Sequence, residues 1–508
     1  MKLKKAKSFL HSRIAVAAII AAVVTGCAVG PDFRTPPAPS TNVYTAKELP
    51  AETAAAPGIA GAAQRFAPGQ DIPEEWWTLF HSETLNHMIR QALADNPTLA
   101  AAKARLREAQ ENRQAGLGVL FPTVDANASA TREKISGALF GQSDTDISAF
   151  NIYNASVNVS YALDIFGGAR RALEALQSQI DYQQYQLEGA YLTLASNIVT
   201  TAVQEASLRA QIIATKNILA LQEKQLSVVE NQFRLGGASR SDILAQKTQL
   251  AQTQTTLPPL EKVLTQTRHL LAVLTGRLPH EAAEFPEFNL DEIELPQELP
   301  VSLPSSLVRQ RPDIMASEAL YHAACAQVGV ATAYLYPQIT LTGSYGFTAT
   351  TASDLFNSNS VVWSIGAGLL QPIFHGGTLT AKRRAAIAAY DEAGAQYRST
   401  VLLAFQNVAD VLRALEADAN ALKAQADAEA AAHDTFDLTQ KEFQLGAVSY
   451  LSLLNAQRQY QQSQIGLIQA QAARFADTAA LFHALGGGWW NRSKANVSAQ
   501  GQKESNAE

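Results

Sequence analysis

Apolar residues along the chain follow two periods. In 154–165, Ala155, Val157, Val159, Tyr161, Leu163 and Ile165 alternate with Asn154, Ser156, Asn158, Ser160, Ala162 and Asp164. In 338–347, Ile339, Leu341, Gly343, Tyr345 and Phe347 alternate with Gln338, Thr340, Thr342, Ser344 and Gly346. Period two places the two sets on opposite faces of a strand. Segments 123–132 and 362–370 repeat the pattern more weakly, the second with Trp363, Ile365, Ala367 and Leu369 on one face. The spacing predicts strands over 121–134, 151–166, 336–347 and 361–374, paired across polar loops near 135–150 and 348–360. Each is close to the ~9–11 residues with which a tilted strand crosses a membrane. A soluble sheet with one wet face fits the alternation equally well. Small neutral side chains on the polar face suit a water-filled lumen.

Elsewhere the period is seven. From Arg170 to Leu235 there is no proline, and Leu173, Ile180, Leu187, Leu194, Thr201 and Leu208 are followed, four positions on, by Ile212, Leu219, Leu226 and Phe233. Val401, Val408, Leu415, Leu422, Phe436 and Phe443 continue the rule in the second half. A heptad held this long means helices supercoiled against neighbours. The hairpins are expected over 170–276 and 378–485. Shorter helices are expected over 84–120 and 238–276.

The two halves, 84–278 and 303–487, follow one plan, a two-fold internal repeat. Ala94-Asp95-Asn96-Pro97 matches Arg309-Gln310-Arg311-Pro312, and Leu120-Phe121-Pro122 matches Leu335-Tyr336-Pro337, both 215 residues apart. Phe233-Arg234-Leu235-Gly236 matches Phe443-Gln444-Leu445-Gly446, and Leu274-Thr275-Gly276 matches Ala484-Leu485-Gly486. Pro122 and Pro337 stand where strands begin and a missing donor is tolerable. Gly167-Gly168 and Gly376-Gly377 allow the turn from strand to helix. Four strands cannot close a barrel, and in hydrocarbon an open edge leaves backbone groups unpaired at several kcal/mol each. Several copies must therefore share one barrel. Two would give eight strands and a filled lumen, three would give twelve and a passage, and alternation does not choose.

The ends place the chain in a cell envelope. Lys2, Lys4, Lys5 and Lys7 precede an apolar run, Ile14 to Val24, too short to span a bilayer, as in an export signal over 1–26. Val24-Thr25-Gly26-Cys27 resembles the lipobox of bacterial lipoproteins, which implies a lipid on Cys27 and, from Ala28, outer-membrane sorting. Cys325 then has no partner and reads as a buried small hydrophobe. Residues 27–83, rich in Pro, Ala and Gly, read as an extended arm from the anchor. Residues 279–302, with Glu281, Glu284, Glu287, Asp291, Glu292, Glu294 and Glu298, read as a surface connector, and 488–508 as a polar, disordered tail.

A net charge of -6 offers no clustered basic surface for nucleic acid. His81 and His87 are too far apart to present a metal pair on one helical face. Gly376-Gly377 precedes Arg383-Arg384 without the Gly-Lys-Ser/Thr of a phosphate loop. The expectation is no enzyme, and no cofactor beyond the covalent lipid.

Five segments in order resemble the TolC-like outer-membrane efflux channels, in particular their lipoprotein, NodT-type branch. They are Gly26-Cys27-Ala28-Val29-Gly30-Pro31-Asp32-Phe33, Trp76-Trp77-Thr78-Leu79-Phe80, the stretch from Phe233 to Asp242, Leu370-Gln371-Pro372-Ile373-Phe374 with Gly376-Gly377, and Ala484-Leu485-Gly486-Gly487-Gly488-Trp489. The resemblance covers Cys27 to Trp490. It implies an α+β membrane protein: a homotrimer whose twelve-stranded transmembrane β-barrel, four strands per chain, continues into a long α-helical coiled-coil tunnel in the periplasm. Such a duct passively exports small molecules, drugs and toxic compounds among them, driven by an inner-membrane RND-type transporter through a periplasmic adaptor (membrane fusion) protein. The resemblance further implies adaptor contact at two hairpin tips, Leu235, Gly236, Gly237, Ala238 and Ser239, and Leu445, Gly446, Ala447, Val448 and Ser449. From the residues alone these are glycine helix reversals. Family members often carry acids just after each reversal. Asp242 matches, and fits a helix start equally well, whereas Ser452 and Asn455 are neutral and depart from a carboxylate gate. Two rivals remain: a channel for protein (type I) secretion, and a non-conducting coiled-coil envelope lipoprotein, which explains the heptads but not the strands.

Overall fold

The computed structural model describes residues 28–136 and 148–492; the signal segment, Cys27 and the tail from 493 onward lie outside the described residues. In chain order the elements are β1 (Arg65–Pro68), α1 (Glu83–Asp95), α2 (Pro97–Leu117), β2 (Thr123–Glu133), β3 (Phe150–Leu163), α3 (Gly168–Arg234), α4 (Arg240–Gln254) and α5 (Leu257–Leu274). The second half follows with β4 (Glu298–Val301), α6 (Pro304–Gln310), α7 (Pro312–Ala333), β5 (Gln338–Ala349), β6 (Val361–Leu370), α8 (Thr378–Gln444) and α9 (Tyr450–Ala484). The chain divides into two compact units.

One unit comprises residues up to Pro36, Arg105–Gln183 and Ser317–Tyr397. Its centre is an antiparallel sheet in the order β2-β3-β5-β6. The hairpins β2–β3 and β5–β6 are those the alternation predicts, and pairing of β3 with β5 joins the two repeats through Tyr153–Leu163 and Ile339–Ala349. β6 ends at Leu370, short of the expected 374, because Pro372 has no N–H to donate. β3 likewise stops at Leu163, since Asp164 turns its carboxylate to the amides of Ala169 and Arg170 that open α3. Pro122 and Pro337 stand immediately before β2 and β5. Gly167 (φ 75°), Gly376 (φ 58°) and Gly377 (φ 81°) take the left-handed conformation at the strand-to-helix turns, and α3 begins at Gly168.

The other unit comprises Pro37–Ala104, Gln184–Ala316 and the chain from Arg398. α3 and α8 are uninterrupted helices of 67 residues each, about 100 Å at 1.5 Å per residue. Along α3 the sevens Leu187, Leu194, Thr201 and Leu208 are buried, as are Ile212 and Leu219 after the four-residue stutter, which re-phases the seam. Val401, Val408, Leu415, Leu422 and Phe436 are buried along α8. The first-half return breaks after Gln254 into α4 and α5, where Pro258 and Pro259 follow, whereas α9 runs unbroken for 35 residues.

Three expectations are corrected in this unit. The expected extended arm is in part packed into a core: β1 pairs in parallel with β4, and Ile72, Trp76 and Phe80 are fully buried, with Trp76 stacked on Phe482 at 5.2 Å. The connector 279–302 is part of a core, since its acids alternate with Phe285, Phe288, Leu290, Ile293 and Leu299, all buried. The expected tail is ordered through Arg492, which donates to Glu74 and Glu188.

The anchors of the repeat prove to be partners of one another. Asn96 Nδ2 donates to Leu274 O at 2.8 Å, and Arg311 Nη1 donates to Ala484 O at 2.7 Å. In each half, the residue before the kinking proline thus satisfies a terminal carbonyl of the return helix. Asn96 Oδ1 also caps α2, accepting from Thr98 N at 2.8 Å and Leu99 N at 3.2 Å. Asn96→Ala is expected to destabilise this unit by about 1–2 kcal/mol through the lost cap, measured as a lower thermal midpoint in detergent. An unchanged midpoint would mean that packing alone holds the kink.

Candidate functional site

In-register pairing carries the alternation across the whole sheet. One face stacks Val124, Val159, Gly343 and Ile365 in a row, then Ala126, Val157, Tyr345 and Trp363, then Ala128, Ala155, Phe347 and Val361. The other stacks Thr123, Ser160, Thr342 and Gly366, then Asp125, Asn158, Ser344 and Ser364, then Asn127, Ser156, Gly346 and Val362. The apolar face lies open, with Trp363 71% and Ile365 84% exposed. Among the described residues, β2 and β6 each have one edge without a strand partner. Among the described residues no helix is long and apolar enough to cross a membrane.

The two tips have the same geometry. Gly237 N donates to Gln232 O at 2.8 Å and Ala447 N to Glu442 O at 2.9 Å, closing each helix after Gly236 (φ 81°) and Gly446 (φ 75°). Leu235 and Leu445 project, 87% and 84% exposed, with Gly236, Gly237, Ala238, Ala447 and Val448 beside them. Ser239 and Ser449 then cap α4 and α9. Asp242 completes a capping box, its Oδ2 accepting from Ser239 N at 2.8 Å and Ser239 Oγ at 2.7 Å. Ser452 holds the equivalent place with Ser449 at 3.0 Å, and Asn455 is exposed. Behind the tips, Val229, Phe436, Tyr450, Leu453 and Leu454 form an apolar cluster, and the Tyr450 hydroxyl donates to Gln246 Oε1. Burial pushes the Tyr450 phenol up.

Sequence reasoning missed how the arm is held. Within the sheet-bearing unit, Val29 N donates to Phe166 O at 3.0 Å, Asp32 pairs with Arg171 at 2.6 Å, and Phe33 stacks on His322 at 4.4 Å. Glu174 accepts from Arg171 and His322, both at 2.8 Å. Burial works to raise its carboxyl, but these two bonds outweigh it and hold it below the usual range. Cys325 is buried with its thiol toward Pro31 O at 3.6 Å. Asp32 and Phe33 stood in a recognisable motif, but their partners lie far along the chain, beyond any local pattern.

In the second unit a buried cation does the same work. Arg474 is fully buried and donates to Ala60 O, Ala62 O, Thr53 Oγ1 and Gln64 Oε1 at 2.8–3.1 Å. Burial lowers its pKa to about 10, partly offset by the charge of Asp418. One turn on, Asp477 is raised to about 7 by burial, then by the hydrogen bond and charge of Asp418 on α8. Among the described residues no cluster of His, Cys, Asp or Glu could hold a metal ion.

A sheet with one lipid-compatible face and, among the described residues, two unpartnered edges, in one chain with helices of 67 residues, fits the class of membrane-embedded strand proteins. Known proteins agree. The family model described as outer membrane efflux protein matches residues 88–277 and 303–487. The chain is 32% identical to the pyoverdine export outer membrane protein OpmQ of Pseudomonas aeruginosa, over 82% of this chain and 87% of that one. It is 28% identical to the toluene efflux pump outer membrane protein TtgC of Pseudomonas putida, over 95% and 97%. The solved outer-membrane channel OprN superposes with a TM-score of 0.81 at 29% identity, over 91% of this chain and 100% of that one. The chain belongs to the outer membrane efflux protein family, a channel family rather than an enzyme family. Its place is the outer membrane, reaching into the periplasm, and its role is efflux.

The Asp418–Asp477 pair makes stability depend on pH in one direction. Between the ordinary aspartate range near pH 4 and about pH 7, the folded chain keeps a proton that the unfolded chain has released. Stability from this group is therefore greatest below pH 4, falls as pH rises to about 7, and levels off above. Asp477→Asn should gain thermal stability relative to the parent across that window and hold a constant margin above it. A margin that stays flat from pH 4 to 8 would show that the pair shares no proton.

Proposed function

We propose that three copies of this chain close one twelve-stranded barrel and serve as the exit duct of a tripartite efflux pump. The carrying observation is the four-stranded sheet with an exposed apolar face and two unpartnered edges. Strands of 11, 14, 12 and 10 residues have the length to cross the hydrocarbon layer. Edge-to-edge closure pairs β2 of one copy with β6 of the next and leaves no backbone group bare in lipid. Eight strands would fill their own lumen, whereas twelve leave a passage.

The apolar rows face lipid and the small polar rows line the water path. Cys27 carries the lipid, and the nearby Val29 and Asp32 are held at Phe166 and Arg171, just past the end of β3. Leu235 and Leu445 are apolar knobs that meet a periplasmic adaptor, itself bound to an inner-membrane RND-type transporter. Asp242, Ser452 and Asn455 lie just inside each tip and form the gate region. Cargo consists of small molecules selected mainly upstream by the pump. Protein secretion and a non-conducting envelope bridge are the readings that this one displaces.

Purified protein should run as a trimer and conduct ions in planar bilayers; a monomer without conductance overturns the proposal. Ile365→Arg puts a charge on the lipid face at about 2–4 kcal/mol per copy near the midplane. It should remove the trimer from outer-membrane fractions while soluble-helix content persists. Leu235→Asp combined with Leu445→Asp should leave the trimer intact and abolish drug efflux in cells. Full efflux by that double variant would move the adaptor contact away from the tips.

A further inference from the structure

Across β2, β3, β5 and β6 the charged side chains are three: Asp125, Arg132 and Glu133. Arg132 and Glu133 close β2 at its loop end, and Arg132 lies on the apolar-face register, donating to Asn151. Asp125 alone sits within the body of the sheet, on the polar face, three residues after Pro122. Its row partners Asn158, Ser344 and Ser364 are neutral, and so are both flanking rows. Among the described residues no hydrogen bond or ion pair engages its carboxylate. Asp164, by contrast, is consumed by two backbone amides and Arg170.

We propose that Asp125 sets the charge preference of the duct, forming a ring of carboxylates at the base of the barrel that favours cationic over anionic cargo. This rests on the trimeric barrel proposed above. Twelve strands about 4.8 Å apart and tilted about 40° give a backbone radius of about 12 Å, which puts inward carboxylates about 8 Å from the axis. That equals the screening length of about 8 Å at 0.15 M salt. Three charges at this distance enrich monovalent cations over anions several-fold on the axis. The ratio rises to tens-fold at 0.01 M, where screening extends to about 30 Å, and approaches unity at 1 M. At the tips Ser452 and Asn455 are neutral, and Asp242, whose carboxylate is bonded to Ser239 but keeps its charge, is the rival source of selectivity that the test compares.

Reversal potentials in planar bilayers under a KCl gradient test this, with parent, Asp125→Asn, Asp125→Glu and Asp242→Asn proteins compared at 0.01, 0.15 and 1 M. The parent should prefer cations in the salt-dependent ratios above. Asp125→Asn should fall to within about two-fold of no preference at every salt concentration while keeping trimer size and its conductance at 1 M, and Asp125→Glu should match the parent. An Asp125→Asn channel as cation-selective as the parent overturns the inference, as does loss of selectivity in Asp242→Asn instead. A parent that neither assembles nor conducts overturns the channel reading and the ring with it, and is distinguished by its lack of any current.

Discussion

An unpaired backbone group in hydrocarbon has no water to turn to, and this constraint governs the rest of the molecule. The β2 and β6 edges present such groups beside a face carrying Val124, Val157, Tyr345, Trp363 and Ile365. In water these edges would invite aggregation, and in lipid each bare group costs several kcal/mol. A closed barrel is the solution open to strands in a bilayer. In the proposed assembly closure needs partners, so the pore belongs to that assembly and not to the single chain. The small polar row residues face water only once that closure exists.

Duplication explains how one chain delivers four strands and two long hairpins. Matched motifs in the two halves are not merely similar but bonded: the pre-proline residue of each kink holds the end of its own return helix. That arrangement satisfies helix-terminal carbonyls at the point where the chain must bend. The copies then diverge where the physics allows. Pro258-Pro259 divide the first return helix, while α9 continues unbroken. At the tips, Asp242 and Ser452 occupy equivalent cap positions with different charge, so the same turn is kept while its electrostatics change.

The arm shows a second economy. Two arginines that lie nearly or fully out of solvent, Arg171 and Arg474, gather carbonyls and side-chain oxygens from residues 29–64. A buried guanidinium left without partners would be costly, so each arginine ties the arm down as firmly as the arm satisfies the arginine. The segment from Val29 to Phe33 is thereby fixed to the sheet-bearing unit at Phe166 and Arg171 rather than trailing from it. Glu174 and His322 complete that hold from two different helices.

Periodicity by itself determined the strands, the heptad seams, the repeat and the hairpin turns, because each depends on neighbours within a few residues or on a spacing that recurs. Strand ends were legible to within a few positions, except where Pro372 and Asp164 ended pairing early. Only the tertiary structure decided what distant residues do for one another. The β3–β5 pairing across repeats, the burial of Phe288 and Leu299 in an acidic connector, the order of the chain through Arg492, and the clamps at Arg171 and Arg474 all join positions far apart in sequence. Their cause is long-range packing and hydrogen-bond satisfaction, which leave no period to read. Asp125 illustrates both sides: alternation puts it on the polar face, but its isolation among neutral partners follows only from the register of four strands.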